Sequence, residues 1–308
     1  MRCDLHVHSR RSGPLNQPLL RRFMDECYSE PREVYEVARA RGMDLVTLTD
    51  HDTIQGALEI AHLPGTFVSE EVTLEMPGSR KLHVGVFDIR EAQHERLQAL
   101  RRDPEAFVAY LAQERIPACL NHPFAALTGP RETADLVFGF DRFRLVESRN
   151  GAMPPEQNAL AERSARAAGH ATLGGSDAHA IQFVARTFTI VSGARSREEF
   201  IEGLRQGLCV PAGRSGGYAR LASEMATVFA RALVATARSA PASWRGATQL
   251  LGTLSLLPAF PLIPPVTLLL HSREKSFARE HGRRYEAACA SLAEGSTVEM
   301  ELAARSAG

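Results

Sequence analysis

The chain has 308 residues, 44% hydrophobic and 23% charged, and its 36 basic residues cancel its 36 acidic ones. That composition excludes a disordered or fibrous chain, and the neutral balance lacks the electrostatic footprint of a dedicated nucleic-acid or acidic-membrane binder. Lys81 and Lys275 are the only lysines, an arginine bias that reads as genomic base composition. Five dispersed cysteines with no C-x-x-C pair argue against a disulfide framework or a zinc ribbon and point to a reducing cytoplasm. The start, MRCDLHVHSRRS, reaches histidines and arginines before any apolar run, so a secretory signal is not expected.

In chain order, RCDLHVH is the first expected strand. Pro31 opens a helix, PREVYEVARARG places Val34, Val37, Ala38 and Arg41 at helical spacing, and Gly42 closes it. MDLVTLT then reads as a buried strand running into Asp50, His51 and Asp52. Further strands are expected in GTFVSEEVT, KLHVGVF, RIPACLN, RFRLVES, HATLGG and RTFTIVS, and helices in DPEAFVAYLAQE, PPEQNALAERSARAAG and SREEFIEGLRQG. Such alternation predicts a parallel α/β protein, with a barrel as the leading architecture. Glu147, His122, Asp177 and His179 follow strand segments, at the end where parallel α/β barrels carry their active sites.

Composition shifts after Gly213–Gly217, which places a boundary near Gly217 and divides the chain into 1–217 and a helical extension, 218–308. YARLASEMATVFARALVATARSA reads as a long helix, and Gly246 to Leu270 holds no charge. Pro258, Pro261, Pro264 and Pro265 would break a helix in lipid, so a buried or interfacial hairpin is expected and membrane association through 246–270 is the less favoured alternative. SREKSFAREHGRRYEAACASLAEG is read as an amphipathic helix.

The chemistry concentrates at two pairs. His6 and His8 lie two apart in a strand, so both imidazoles face one side, and Asp177 and His179 repeat that spacing at another strand end. Together with TDHDT and the histidine of NHPF, they form a mixed imidazole and carboxylate set suited to a cluster of zinc, manganese or iron ions. Hydrolysis is the economical inference from such a cluster. Asp4, Asp50 and Asp52 flank these residues and are read as acceptors that orient imidazole N–H groups. Asp52 is a candidate proton relay. Arg149, just past a strand end, is a candidate phosphate contact, with Arg10 and Arg11 behind it and Glu147 and Asn150 as further substrate contacts.

The motifs DLHVHS, TDHDT, SEEVT, KLHVGVF, NHPF and GGSDAH, in this order, resemble the PHP (polymerase and histidinol phosphatase) metal-dependent phosphoesterases over residues 1 to about 215. The resemblance implies a distorted (β/α)7 barrel with a di- or trinuclear centre ligated by His6, His8, His51, Glu71, His83, His122, Asp177 and His179. Glu71 is preferred to Glu70 because Val72 and Thr73 follow it as in the family, and strand alternation lets one of the two face the site. The family usually supplies another ligand shortly after H-x-H; here Gly13 stands near that position, with Asp25 or Glu26 as substitutes unless they occupy a helix surface. The expected function is cytoplasmic hydrolysis of a small phosphorylated metabolite or nucleotide by a metal-bound hydroxide, with two or three divalent ions (Mn, Zn or Fe) and no stable nucleic-acid partner. The alternatives are an inactive metal-binding regulatory module and an amidohydrolase-like hydrolase. Oligomeric state is not legible.

Overall fold

The computed structural model describes residues 1–14, 24–239, 248, 251–252, 254–255 and 257–306. It is a mixed α/β fold. The central sheet has the order β2 (Ser69–Met76), β3 (Arg80–Phe87), β4 (Ala118–Leu120), β5 (Leu145–Asn150) and β6 (Ala171–Gly175). A second sheet joins β1 (Arg2–Cys3), β7 (Thr187–Ile190) and β8 (Val210–Gly213) in the order β1-β7-β8.

The sheet departs from the all-parallel expectation at β3, which a short turn reverses against β2 and which is antiparallel to β4 as well, although residues 88–117, with two helices, lie between them. The turn between β2 and β3 is the three-residue Pro77–Ser79. A parallel neighbour needs a crossover of about a dozen residues or more, usually a helix. Such crossovers exist at α5 (Thr133–Arg142) and α6 (Pro155–Ala167), and there β4, β5 and β6 are parallel. RTFTIVS leaves the central sheet for the same reason: no helix longer than the 3-10 turn Ile181–Phe183 separates β6 from β7, which pairs antiparallel with β1 and β8.

Beyond the two residues of β1, RCDLHVH forms single bridges rather than a long ladder, as does MDLVTLT. Val7 bridges Ala178, Val46 bridges Thr66 and His51 bridges Glu71, all in parallel sense, and the Thr49 N–H donates to Val7 O at 2.9 Å. Leu5 and Val7 point into the core while His6 and His8 share the opposite side. Gly175 permits the close approach of β6 to this segment, since a Cβ there would lie 2.2 Å from the His6 Cβ.

The helix at Pro31 forms as expected, as α1 (Pro31–Ala40), with Val34 and Ala38 buried. It is followed by α2 (Gln55–Ile60), α3 (Glu91–Leu100) and α4 (Pro104–Gln113), and α7 (Arg197–Arg205) precedes β8. The C-terminal part consists of α8 (Tyr218–Ser239), a 3-10 stretch Leu257–Leu262, and α9 (Ile263–Ser306), which carries Pro264 and Pro265 in its first turn, where proline is tolerated. Both helices pack on the rest of the chain: Val228, Phe229 and Ala232 of α8 cluster with Met24, and Ala278 and Tyr285 of α9 join the core containing Phe124, Phe140 and Leu160. Much of 246–270 lies outside the described residues. Within the described part Phe260, Leu262, Val266, Leu268 and Leu269 are exposed, so of the buried or interfacial hairpin expected here the buried form does not hold for these residues. Among the described residues no helix is long and apolar enough to cross a membrane.

Candidate metal centre

Glu71 is the hub. It leaves β2 fully buried, and its Oε2 lies 3.2 Å from His6 Nε2, 3.6 Å from His8 Nε2 and 3.1 Å from His51 Nδ1. Its Oε1 lies 3.3 Å from His83 Nδ1 and 3.1 Å from His122 Nε2, and accepts a hydrogen bond from Asn121 at 2.9 Å. On β3, His83 pairs with Thr73 and Gly85 pairs with Glu71, which puts His83 and Glu71 on one face two residues out of register. Glu70 points the other way, to His94 and Gln98 at 2.9 Å each. Asp177 Oδ1 stands 3.3 Å from His8 Nε2 and 3.7 Å from His179 Nδ1. All eight residues that the resemblance nominates as ligands thus meet in one place.

Two further carboxylates enter. Glu26 Oε1 lies 3.1 Å from His51 Nε2 and 3.4 Å from His179 Nε2, in a group with His8. Residues 24–30 are not helical: Pro14 bridges Asp25 antiparallel and the Glu26 N–H donates to Gly13 O, which delivers Glu26 inward while Asp25 stays outside. Residues 15–23 lie outside the described ones. Glu147 accepts from His6 Nδ1 at 2.9 Å and from the His122 N–H at 3.0 Å.

The donor set fits metal ions better than hydrogen bonds. His6 Nε2, His8 Nε2, Glu26 Oε1, His51 Nδ1, Glu71 Oε2 and His83 Nδ1 are buried without a hydrogen-bond partner, although their neighbours lie within 3.1–3.6 Å. Buried polar atoms left this way are costly unless something holds them. The tautomers agree. Glu147 fixes the His6 proton on Nδ1; Ser12 donates its hydroxyl to Asp50 at 2.9 Å, so it accepts from His8 Nδ1 at 3.0 Å. Both Nε2 lone pairs are then bare and face the cluster.

The electrostatics are those of closely coupled carboxylates and imidazoles. Despite burial, the surrounding imidazoles hold the Glu71, Asp177 and Glu26 carboxyls below their usual range. Also against burial, Glu26 and Glu71 raise His51 to about 10, and Glu26 and Asp177 raise His179 to about 9. Burial, with neighbouring histidines, takes His8 down to about 3 and His83 to about 4. Two of these residues sit on unusual backbone, His122 at φ 25° and Asp177 at φ 49°. Non-glycine residues at positive φ carry strain that is common at functional sites.

Several nominated residues lie elsewhere. Arg149 turns outward and donates to Gly213 O at 3.3 Å. A register shift between Glu147 and Arg149 breaks the alternation that would have placed both on one face; it sends Glu147 and Asn150 inward and Arg149 away. Asp52, at φ 54°, accepts from the Thr73 N–H at 2.7 Å and from Arg101 at 2.8 Å. Asp4 and Asp50 touch no imidazole directly: Asp4 accepts backbone N–H groups of His6, Ser176 and Ala185, and Asp50 those of Ser9 together with the Ser9 and Ser12 hydroxyls. Arg10 and Arg11 pair with Glu30 and Glu59.

Residues 155–209, which carry Asp177 and His179 between α6 and α7, match the family model described as PHP-associated. Over that segment the match supports a relationship to PHP-domain proteins. The chain is 38% identical over 72 residues to the uncharacterized protein MJ1587 of Methanocaldococcus jannaschii, a match covering 23% of this chain and 41% of that one, so the chain spans about two fifths of its curated relative. Among solved structures it is similar to PsfC from Pseudomonas syringae (18% identity, TM-score 0.46, 65% of this chain and 87% of that one). It is also similar to an amidohydrolase from Chromobacterium violaceum (17%, 0.45, 66% and 97%) and to a protein of Bifidobacterium adolescentis provisionally named a metal-dependent phosphoesterase (15%, 0.38, 58% and 87%).

Proposed function

We propose that this chain is a metal-dependent phosphoesterase of the PHP type, acting on a small phosphorylated metabolite or nucleotide. The observation that carries the reading is the set of buried, unpartnered imidazole and carboxylate atoms around Glu71. Two or three divalent ions, manganese, zinc or iron, would be held by His6, His8, His51, Glu71, His83, His122, Asp177 and His179, with Glu26 as a ninth ligand. Such ions lower the pKa of water and neutralise charge on a phosphoryl group.

The chain's own residues orient that chemistry. Glu147 and Ser12 fix the His6 and His8 rings, Asn150 bridges Glu147 and Asp177 at 2.9 and 3.0 Å, and Asn121 holds Glu71. The bridges among segments 5–8 and 46–51, β2 and β6 support closure of the central sheet into a distorted seven-stranded barrel, with β3 reversed. Five free cysteines are compatible with a reducing, cytoplasmic setting. The boundary near Gly217 is proposed as a boundary of composition.

Phosphate release from a panel of monoesters and diesters, with manganese and after chelation, tests the function. Metal-dependent release on at least one class is expected; hydrolysis of amides alone would replace the phosphoester reading.

A further inference from the structure

Among the described residues, none beyond 217 belongs to a group able to hold an ion, yet both C-terminal helices reach the loops that carry the ligands. Glu224 of α8, 6% exposed, accepts the backbone N–H of His179 at 2.7 Å. One turn earlier, Arg220 donates to the carbonyls of Ser176 at 2.5 Å and Asp177 at 3.4 Å, with its guanidinium over the Phe183 ring. Glu274 of α9, 2% exposed, accepts the N–H groups of Ala126 at 2.8 Å and Leu127 at 2.7 Å, in the turn that follows His122. Gln157 donates to the same carboxylate, and Arg131 ties down the carbonyls of His122 and Pro123. Met24, two residues before Glu26, packs on Val228, Phe229 and Ala232 of α8.

A buried carboxylate is a costly choice for the packed face of a helix unless its hydrogen bonds hold something in place. Here each one grips a loop whose ligand has positive φ, Asp177 or His122. Strained backbone persists only where its surroundings over-determine it. We propose that Glu224 and Glu274 are positioning residues, through which the C-terminal helices hold the two strained ligand loops in the geometry that binds divalent ions.

The proposal rests on the metal-centre reading, and wild-type manganese binding separates the two: a wild-type chain without bound ions sinks that reading, whereas only the variants test the clamp. In the full-length protein, Glu224→Leu and Glu274→Leu are expected to weaken manganese affinity roughly 10- to 100-fold, the usual effect of removing a group that orients a ligand. The visible spectrum of the cobalt-loaded variants should shift, while the far-UV circular dichroism of the metal-free protein stays unchanged. Glu224→Gln keeps an acceptor for His179 and should restore affinity to within about threefold, well short of the loss expected on removing an orienting group. Should a leucine variant fail to fold, Glu274→Gln, which retains one acceptor of two, reads the same contact and should show a partial loss. Folded variants with wild-type affinity and cobalt spectrum would overturn the proposal, as would equal losses in Glu224→Gln and Glu224→Leu.

Discussion

His6 and His8 show how a two-residue spacing becomes a site. Alternation turns both rings to one side, and the partners on Nδ1 leave Nε2 bare. His8→Ala and Asp177→Asn should each lower turnover at least about a hundredfold against a confirmed substrate, since they remove stabilisation aimed at developing charge. Wild-type rates in both would show that the reaction occurs elsewhere. Gly13 bears on nuclearity differently. Its φ of 85° with ψ of −159° is backbone that only glycine adopts readily, and a Cβ there would meet nothing within 4 Å. Gly13→Asp is therefore expected to add no ion and to lower the melting temperature, whereas Glu26→Ala should lower the manganese count by up to one. The repeated H-x-H and D-x-H patterns made the core of the site legible in sequence. Glu26 was legible only as an alternative, because its delivery depends on the 14–25 bridge, and the outward turn of Arg149 depends on a bulge that no residue pattern announces.

Elements were most legible where a helix joins parallel strands and least where the connection is short. The hairpin at Pro77–Ser79 reversed β3, and the helix-free link after Asp177 sent RTFTIVS to a second sheet. The contact between β2 and α3 offers a test in pH. His94 donates to Glu70, which raises the His94 pKa, while burial raises that of Glu70 despite the bond. Both groups bind protons more tightly when folded, so their contribution is full below their unfolded pKa values and is lost as pH rises through the raised folded ones. Above about 6.5, the ordinary histidine value, wild-type stability should fall through the His94 contribution. His94→Gln should flatten that fall, measured as melting temperature between pH 5.5 and 8.5 at a fixed metal concentration. Parallel curves for the two proteins would mean that the pair does not couple folding to protons. Turnover at neutral pH should change little, because His94 lies on the face of β2 opposite the cluster.

At the scale of the whole molecule, the contacts across the compositional shift near Gly217 are those of a shared core. Phe124, Phe140 and Leu160 meet Tyr285 and Ala278, Met24 meets Val228 and Phe229, and Glu224 and Glu274 satisfy backbone amides. Uncovering a large apolar side chain costs about 1.5–3 kcal/mol, and several such losses approach the 5–15 kcal/mol, roughly, by which a domain is stable. Residues 1–217 expressed alone are therefore expected to melt well below the full-length chain, to aggregate through the uncovered patch, and to bind manganese weakly even where they stay soluble. Sequence could not reveal this, since an amphipathic helix announces that it has an apolar face without naming what the face covers. The decisive comparison is thermal unfolding of both chains with and without saturating manganese, because a native-state ion raises the midpoint by mass action. Equal midpoints and equal manganese-induced shifts would make 1–217 an autonomous unit. A shift confined to the full-length chain would make the C-terminal helices part of the metal-binding body.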